Sequence, residues 1–209
     1  IEELGKEVVD SSKTFYYTED KWMFYLKCRE HGVSVPETIL LSEDLNLIKK
    51  ELVNFNHWPV IIKRVYGTTG NYVEKADNMK EAINILGKFW KKSSERFPII
   101  AQEFVPSPSY RVTTVGEKIV QTAIKHNSGW KATGIYAHKI GKFKIDKTLE
   151  PIVKKLIKFS GINVSGIDLL KRGDEWLALE INAQPAFDFF NSQREQIVGH
   201  VFKLLESKI

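Results

Sequence analysis

The sequence predicts an α+β protein built as two lobes. Three observations carry that prediction. Short β-branched runs alternate with amphipathic segments along the chain. The one proline and serine cluster, Pro106-Ser107-Pro108-Ser109, falls near the middle. Beyond it the pattern is antiparallel, with strands that turn back on one another. The expected lobes are residues 1–105 and 106–209.

In the first lobe Thr18 is placed to cap a helix from about Glu19 to His31, with Trp22 and Leu26 on its buried face and Gly32 stopping it. A strand follows Pro36, and Ser42 to Asn54 has the period of a second helix. His57-Trp58-Pro59 leads into the apolar strand Val60 to Val65, and the loop Tyr66 to Asn71, with Gly67 and Gly70, joins it to a short strand at Tyr72-Val73-Glu74. Asp77 is placed to cap a third helix out to about Arg96, and Pro98 to Val105 is the next strand. In the second lobe a hairpin turns at Gly116-Glu117, and a polar, glycine-containing stretch runs from His126 to Gly141. Asp146 then caps a helix, and strands Ile162 to Leu170 and Glu175 to Asn182 turn at Lys171 to Asp174. The last helix opens with the capping box Ser192 to Glu195.

Composition excludes several classes. With 43% hydrophobic and 27% charged residues over 209 positions, the chain is not disordered and can bury a core without covalent staples. The only cysteine, Cys28, lies among helical residues and reads as a buried, inert thiol. No apolar run reaches the ~18 residues of a membrane span, and the first residues have neither a basic leader nor an apolar signal core, so the expected compartment is the cytoplasm. The net charge of +5 comes from 31 basic and 26 acidic residues. That is a mixed surface, pointing to nucleotides or carboxylates as partners and away from nucleic acid or membrane. The five histidines show no metal-ligand spacing, so no zinc site is expected.

The chemistry concentrates in a few places. Glu180 and Asn182 share a face of their strand because side chains alternate. A turn with an odd number of loop residues brings Asp168 onto that face, whereas a two-residue turn does not. Together the three would offer hard oxygen donors to Mg²⁺ shared with nucleotide phosphates. Lys63 ends an apolar strand just before the glycine loop, where backbone amides can fold over phosphates beside an ammonium. Lys21 stands in the first turn of its helix, unfavourable beside the dipole unless an anion is bound. Arg111 and Lys131 are candidate clamps for an oxyanion or carboxylate.

In order and spacing these pieces resemble the ATP-grasp superfamily, specifically its carboxylate–amine ligases of the RimK and LysX type. The resemblance rests on Asp20-Lys21, Gly32 to Thr38, Pro59 to Lys63, Gln102 to Val105, Arg111 before Val115-Gly116, Gly166-Ile167-Asp168, and Leu179 to Pro185. It implies an ATP-grasp fold whose two α+β lobes hold ATP between them. Lys21 and Lys63 would hold its phosphates, and Gly67, Thr68, Thr69 and Gly70 would close over them. The segment Gln102, Glu103, Phe104 and Val105 would meet the adenine edge, with Ile61 and Leu179 sandwiching the ring. Asp168, Glu180 and Asn182 would ligate Mg²⁺, or Mn²⁺ in its place, and Arg111 and Lys131 would act on the reacting groups.

The implied reaction joins a small-molecule or peptide carboxylate to an amino-acid amine, with glutamate or a relative as one substrate, through an acyl phosphate. A homo-oligomer is compatible with the pattern. The family's N-terminal domain does not appear among these residues and is expected elsewhere in the same protein. Ser109 replaces the acid that often makes the ribose contact. Lys131 and Thr133 replace arginine and asparagine, and Asp188 is a candidate for selecting a cationic amine. Two alternatives stay open: a small-molecule kinase on the same fold, and a regulatory module that holds the nucleotide without turning it over.

Overall fold

The structure, a computed structural model, describes residues 1–67, 70–91, 97–127, 129–131 and 137–208. Two short 3-10 turns and the single helical turn α1 (Phe15–Thr18) lead into α2 (Lys21–Glu30). The cap of α2 is Asp20 and not Thr18. Its carboxylate accepts from the amides of Trp22 and Met23, each at 2.9 Å, and a carboxylate suits the positive end of the helix dipole better than a hydroxyl. Gly32, at φ +62°, follows the helix as expected.

The first sheet contains β1 (Thr38–Leu41), β2 (Val60–Arg64), β3 (Val73–Ala76) and β4 (Ile99–Glu103) in the order β1-β4-β2-β3. Helices α3 (Leu45–Phe55) and α4 (Met79–Lys91) cover one face. Their apolar positions Ile48, Leu52, Ala82, Ile85, Leu86 and Phe89 recur at helical spacing and pack on Val60, Ile62 and Ala101. The alternate residues Ile61, Lys63 and Gln102 therefore point out of the other face. Asn78 takes the capping place expected of Asp77: its Oδ1 accepts from the Glu81 amide at 3.1 Å. The expected extension of α4 over 92–96 lies outside the described residues.

The second sheet runs β7-β6-β5-β8-β9, from β5 (Ser109–Val115), β6 (Lys118–Asn127), β7 (Ala137–Gly141), β8 (Val164–Arg172) and β9 (Glu175–Asn182). Strand β7 forms at the end of the stretch that looks merely polar in sequence, paired with the last residues of β6. Asp146 caps α5 (Leu149–Ser160), accepting from the Leu149 amide at 2.8 Å, and also takes the Trp176 indole N–H at 3.0 Å. The capping box of α6 (Asn191–Glu206) does not form; Phe190 holds the cap position with no side-chain bond.

Helices α2 and α5 pack on one face of this sheet, with Phe24, Cys28, Val153 and Leu156 against Val112, Ile167, Leu169, Trp176, Ala178 and Ile181. Helix α2, from the first half of the chain, thus shares the second sheet's core. Cys28 is fully buried and burial pushes its thiol up to about 12, in keeping with an inert role. A smaller cluster of Val105, Leu170 and Leu177, with Leu179 against it, docks the segment between the sheets onto β8 and β9.

Strands β8 and β9 turn through Gly173 and Asp174, two residues, with Arg172 opposite Glu175. A two-residue turn was expected to carry Asp168 away from Glu180. It does not, because the register shifts between Asp168 and Leu169: Leu169 faces Ala178, Asp168 faces Glu180, and Leu179 is the extra residue of a bulge.

Candidate functional site

The open faces of the two sheets bound a cleft of about 500 Å³. On the first sheet Lys63 is 6% exposed and donates to Gln102 Oε1 at 2.9 Å, while Gln102 Nε2 donates to Thr38 Oγ1 at 2.8 Å. Among the described residues Lys63 has no ion-pair partner. Burial, followed by the charge of Lys21, pushes its ammonium down to about 8 against the pull of Glu180. Burial also lowers Lys21, which donates to the Gly67 carbonyl at 2.5 Å and so ties α2 to the glycine loop. Tyr66 adds a second tie by donating to Asp20 Oδ2 at 3.0 Å.

On the second sheet Asp168 is buried between two cations. Arg111 Nε and Nη2 donate to its oxygens at 2.8 and 2.7 Å, and Lys125 Nζ donates to Oδ1 at 3.0 Å. Burial alone would raise the Asp168 carboxyl, but Arg111 and Lys125 outweigh it and hold the group well below the usual carboxylate range. Glu180, directly opposite, is raised by burial and then by the Asp168 charge, while Lys21 and Lys63 draw it down from across the cleft. Asn182 Nδ2 turns to Gly166 O and Glu180 Oε1, each at 3.4 Å. These bonds engage the amide nitrogen on the wall of the cleft.

Gly166 is required by this packing. A Cβ there would overlap the Arg111 guanidinium and lie 2.5 Å from Pro185 Cβ.

Between the sheets, Glu103 N–H donates to Glu37 O at 2.8 Å and Phe104 N–H to Pro59 O at 3.3 Å. Among the described residues the Val105 N–H has no backbone acceptor, and Val105 lines the cleft with Ile61, Val73, Leu170 and Leu179. The segment offers a backbone edge beside apolar walls, which suits a planar heterocycle with hydrogen-bonding groups on its rim.

Residues 18–203 match the RimK-like ATP-grasp domain. The chain belongs to this family. It is 25% identical over 179 residues to a probable alpha-L-glutamate ligase of Histophilus somni (strain 2336), covering 83% of this chain and 58% of that protein. It is 27% identical over 192 residues to the alpha-aminoadipate–LysW ligase LysX of Sulfurisphaera tokodaii, covering 90% of this chain and 67% of the relative. The chain therefore spans just under three fifths of the length of the glutamate ligase. In structure it is similar to a RimK domain ATP-grasp protein from Sphaerobacter thermophilus, with a TM-score of 0.79 at 16% identity over 98% of this chain and 74% of that one. That likeness shows the ATP-grasp fold.

Against the ATP-grasp expectations, the cleft brings together Lys21, Ile61, Lys63, Gly67 and Gly70 from the first half, Gln102 to Val105 from the end of β4 and the residues after it, and Arg111, Lys131, Asp168, Leu179, Glu180 and Asn182 from the second. Thr68, Thr69 and Thr133 lie outside the described residues. Gln102, expected to touch the base, spends its side chain on Lys63 and Thr38. Lys131 stands on the cleft wall within 3.6 Å of Glu74 of β3, so it bridges the sheets as well as facing the site. Asp188 is exposed and is not among the cleft-lining residues, which leaves it poorly placed to select an amine.

Among the described residues no group of three or more His, Cys, Asp or Glu is arranged to hold a metal ion. Asp168, Glu180 and Asn182 offer two carboxylates and an amide, oxygens of the hard type that suits Mg²⁺, with both Asp168 oxygens already accepting from Arg111 and Lys125. Sequence reasoning missed Lys125, Arg172 and the steric demand on Gly166. The signal for Lys125 was the alternation Gln121, Ala123, Lys125, which sets a lysine on a buried face of β6. No helix of the described residues is long and apolar enough to cross a membrane.

Proposed function

We propose that this chain is the nucleotide-binding, catalytic part of a Mg²⁺-ATP-dependent ligase that joins a carboxylate to an amine, with glutamate or a related amino acid as one substrate. The observation that carries the reading is Lys63, a buried cation in the cleft wall whose hydrogen-bond partner is a neutral amide. A buried ammonium without a counter-ion is costly, and an anion supplied by the ligand removes that cost. Triphosphate bound beside Lys63 and Lys21 fits this need, and the base then lies along Glu103 to Val105. The two sheets act as the lobes, linked through residues 104–108.

In the reaction a substrate carboxylate attacks the γ-phosphorus, ADP leaves, and the resulting acyl phosphate is opened by an amine that forms the amide and expels phosphate. No covalent enzyme nucleophile takes part, and positioning and charge neutralisation supply the acceleration. Mg²⁺, or Mn²⁺ in its place, would be held by Asp168, Glu180 and Asn182 and would neutralise charge on the phosphates. Arg111 is held rigid by its two bonds to Asp168. It keeps its remaining N–H donors for the transferred phosphoryl group or the substrate carboxylate. Lys125 shares Asp168 and adds a second fixed positive charge behind it.

Calorimetric titration with ATP, with and without Mg²⁺, followed by an ADP-release assay with glutamate and a panel of carboxylates, tests the reading. Metal-dependent binding and ADP release that needs both a carboxylate and an amine are expected. A stable phosphorylated product formed without an amine would move the chain to the kinases, and binding without turnover by the full-length protein would make it a regulatory module.

A further inference from the structure

Arg172 stands at the end of β8, outside the cleft lining, and forms an ion pair with Glu103 at the end of β4. The two residues belong to different sheets, and the pair helps fasten the crossing segment to β8 and β9. Ser107 Oγ accepts from the Lys171 amide at 2.9 Å, and Val105 is packed in the small cluster with Leu170 and Leu177. Glu103 is buried, with its other oxygen accepting from the Glu37 amide at 3.3 Å, so its carboxylate has little water to fall back on. Arg172 is in turn held by Glu175 at 2.9 Å, which fixes the guanidinium before it meets Glu103.

We propose that Arg172 is a positioning residue for the nucleotide base: through Glu103 it sets the backbone of residues 103–105 at the distance and angle at which the adenine edge is recognised. The inference rests on the ATP-binding reading given above. Arg172 touches no ligand itself. Its effect is on preorganisation, because a hinge segment that must be ordered on binding loses affinity for the part of the ligand it contacts. The phosphate end, held by Lys21 and Lys63 on other elements, is not served by this pair.

The test compares ATP with inorganic tripolyphosphate, which carries the phosphates without a base, for the parent chain, Arg172→Met and Arg172→Lys. Arg172 is half exposed, so both variants are expected to fold. Loss of the hydrogen-bonded charge pair is expected to weaken ATP about tenfold in Arg172→Met, with tripolyphosphate binding unchanged and Arg172→Lys in between. Unchanged ATP affinity in Arg172→Met would overturn the inference. So would equal weakening of ATP and tripolyphosphate, which would make the pair a general brace between sheets. If Arg172→Met fails to fold, the same two ligands decide on Arg172→Lys. A parent chain that binds neither ligand would overturn the ATP-binding reading, a result distinct from either failure of the variant.

Discussion

Replacing Lys63 by methionine should make the protein more stable and a poorer binder of ATP at the same time. The ammonium sits in the cleft at 6% exposure, and its drop from the ordinary 10.5 to about 8 corresponds to about 3 kcal/mol of penalty when it is charged in the unliganded fold. Methionine fills similar space without the charge. Gln102 Oε1 then loses its donor, a loss of about 1 kcal/mol, while Gln102 Nε2 keeps Thr38. The net gain is about 2 kcal/mol at pH 7, or a rise in Tm of roughly 4–8 °C for a chain of this length.

The pH dependence carries a definite sign. A lysine whose folded value is depressed destabilises the fold most fully below that value, and the penalty fades between about 8 and 10.5 as the folded-state ammonium loses its proton. The gap between variant and parent should therefore be widest at pH 7 and close towards pH 10. ATP affinity should fall about tenfold to a hundredfold through loss of a charge-assisted contact to phosphate. Urea unfolding at a series of pH values, with calorimetry for ATP, measures all of this. A variant less stable than the parent at pH 7, or a gap that does not change with pH, would refute the account of Lys63 as a cation held in reserve for an anion.

Asp168→Asn keeps shape but leaves Arg111 and Lys125 without their carboxylate. It should cost about 3–5 kcal/mol in urea unfolding. Because the folded Asp168 value lies below the ordinary 3.8, the stability it contributes holds above about pH 4 and fades as pH falls, so the difference from Asp168→Asn should shrink in acid. Gly166→Ala should push the Arg111 guanidinium off Asp168 and lower Tm, with slower ADP release than loss of ATP affinity explains; an unchanged melting curve would show that the loop at Pro185 simply yields. Asp146→Ala removes the α5 cap and leaves the Trp176 indole N–H unpaired, an expected loss of about 1–2 kcal/mol by urea unfolding.

Much of this was legible in the residues because local chemistry and tertiary role agree. The strand Val60 to Arg64 is β-branched and ends in Lys63 and a glycine loop; its period fixes which side Lys63 faces once Val60 and Ile62 are in the core. Helix starts were placed within a few residues but the capping residue was missed at α2, α4 and α6. Several polar residues there compete for one cap, and packing decides among them. Strand β7 was missed because an edge strand with one partner needs no apolar alternation. The Glu103–Arg172 pair joins residues 69 positions apart, and no local pattern announces such a contact.

The bulge at Leu179 shows how one unpaired residue makes the acidic site. In a regular β9, Trp176, Ala178, Glu180 and Asn182 would all share one face. Trp176 and Ala178 are core residues on the α2 and α5 side, so a regular strand would either drive Glu180 and Asn182 into that core or expose the indole. Inserting Leu179 reverses the alternation. Trp176 and Ala178 stay in the core, Ile181 joins them, and Glu180 and Asn182 turn to the cleft opposite Asp168 and Gly166. Leu179 is not wasted, since it lines the cleft beside Val105. The conflict is visible in the string Trp176-Leu177-Ala178-Leu179-Glu180-Ile181-Asn182, where the apolar and acidic positions have the same parity. Deleting Leu179 removes the extra residue and sets Glu180 directly after Ala178, so a regular ladder then keeps Trp176, Ala178 and Ile181 in the core with Glu180 and Asn182 facing the cleft. Metal-dependent ATP binding should survive the deletion, weakened by the loss of the Leu179 wall. Loss of that binding would refute the parity argument and mean that the bulge's local geometry, and not the alternation it resets, aims the carboxylate and the amide.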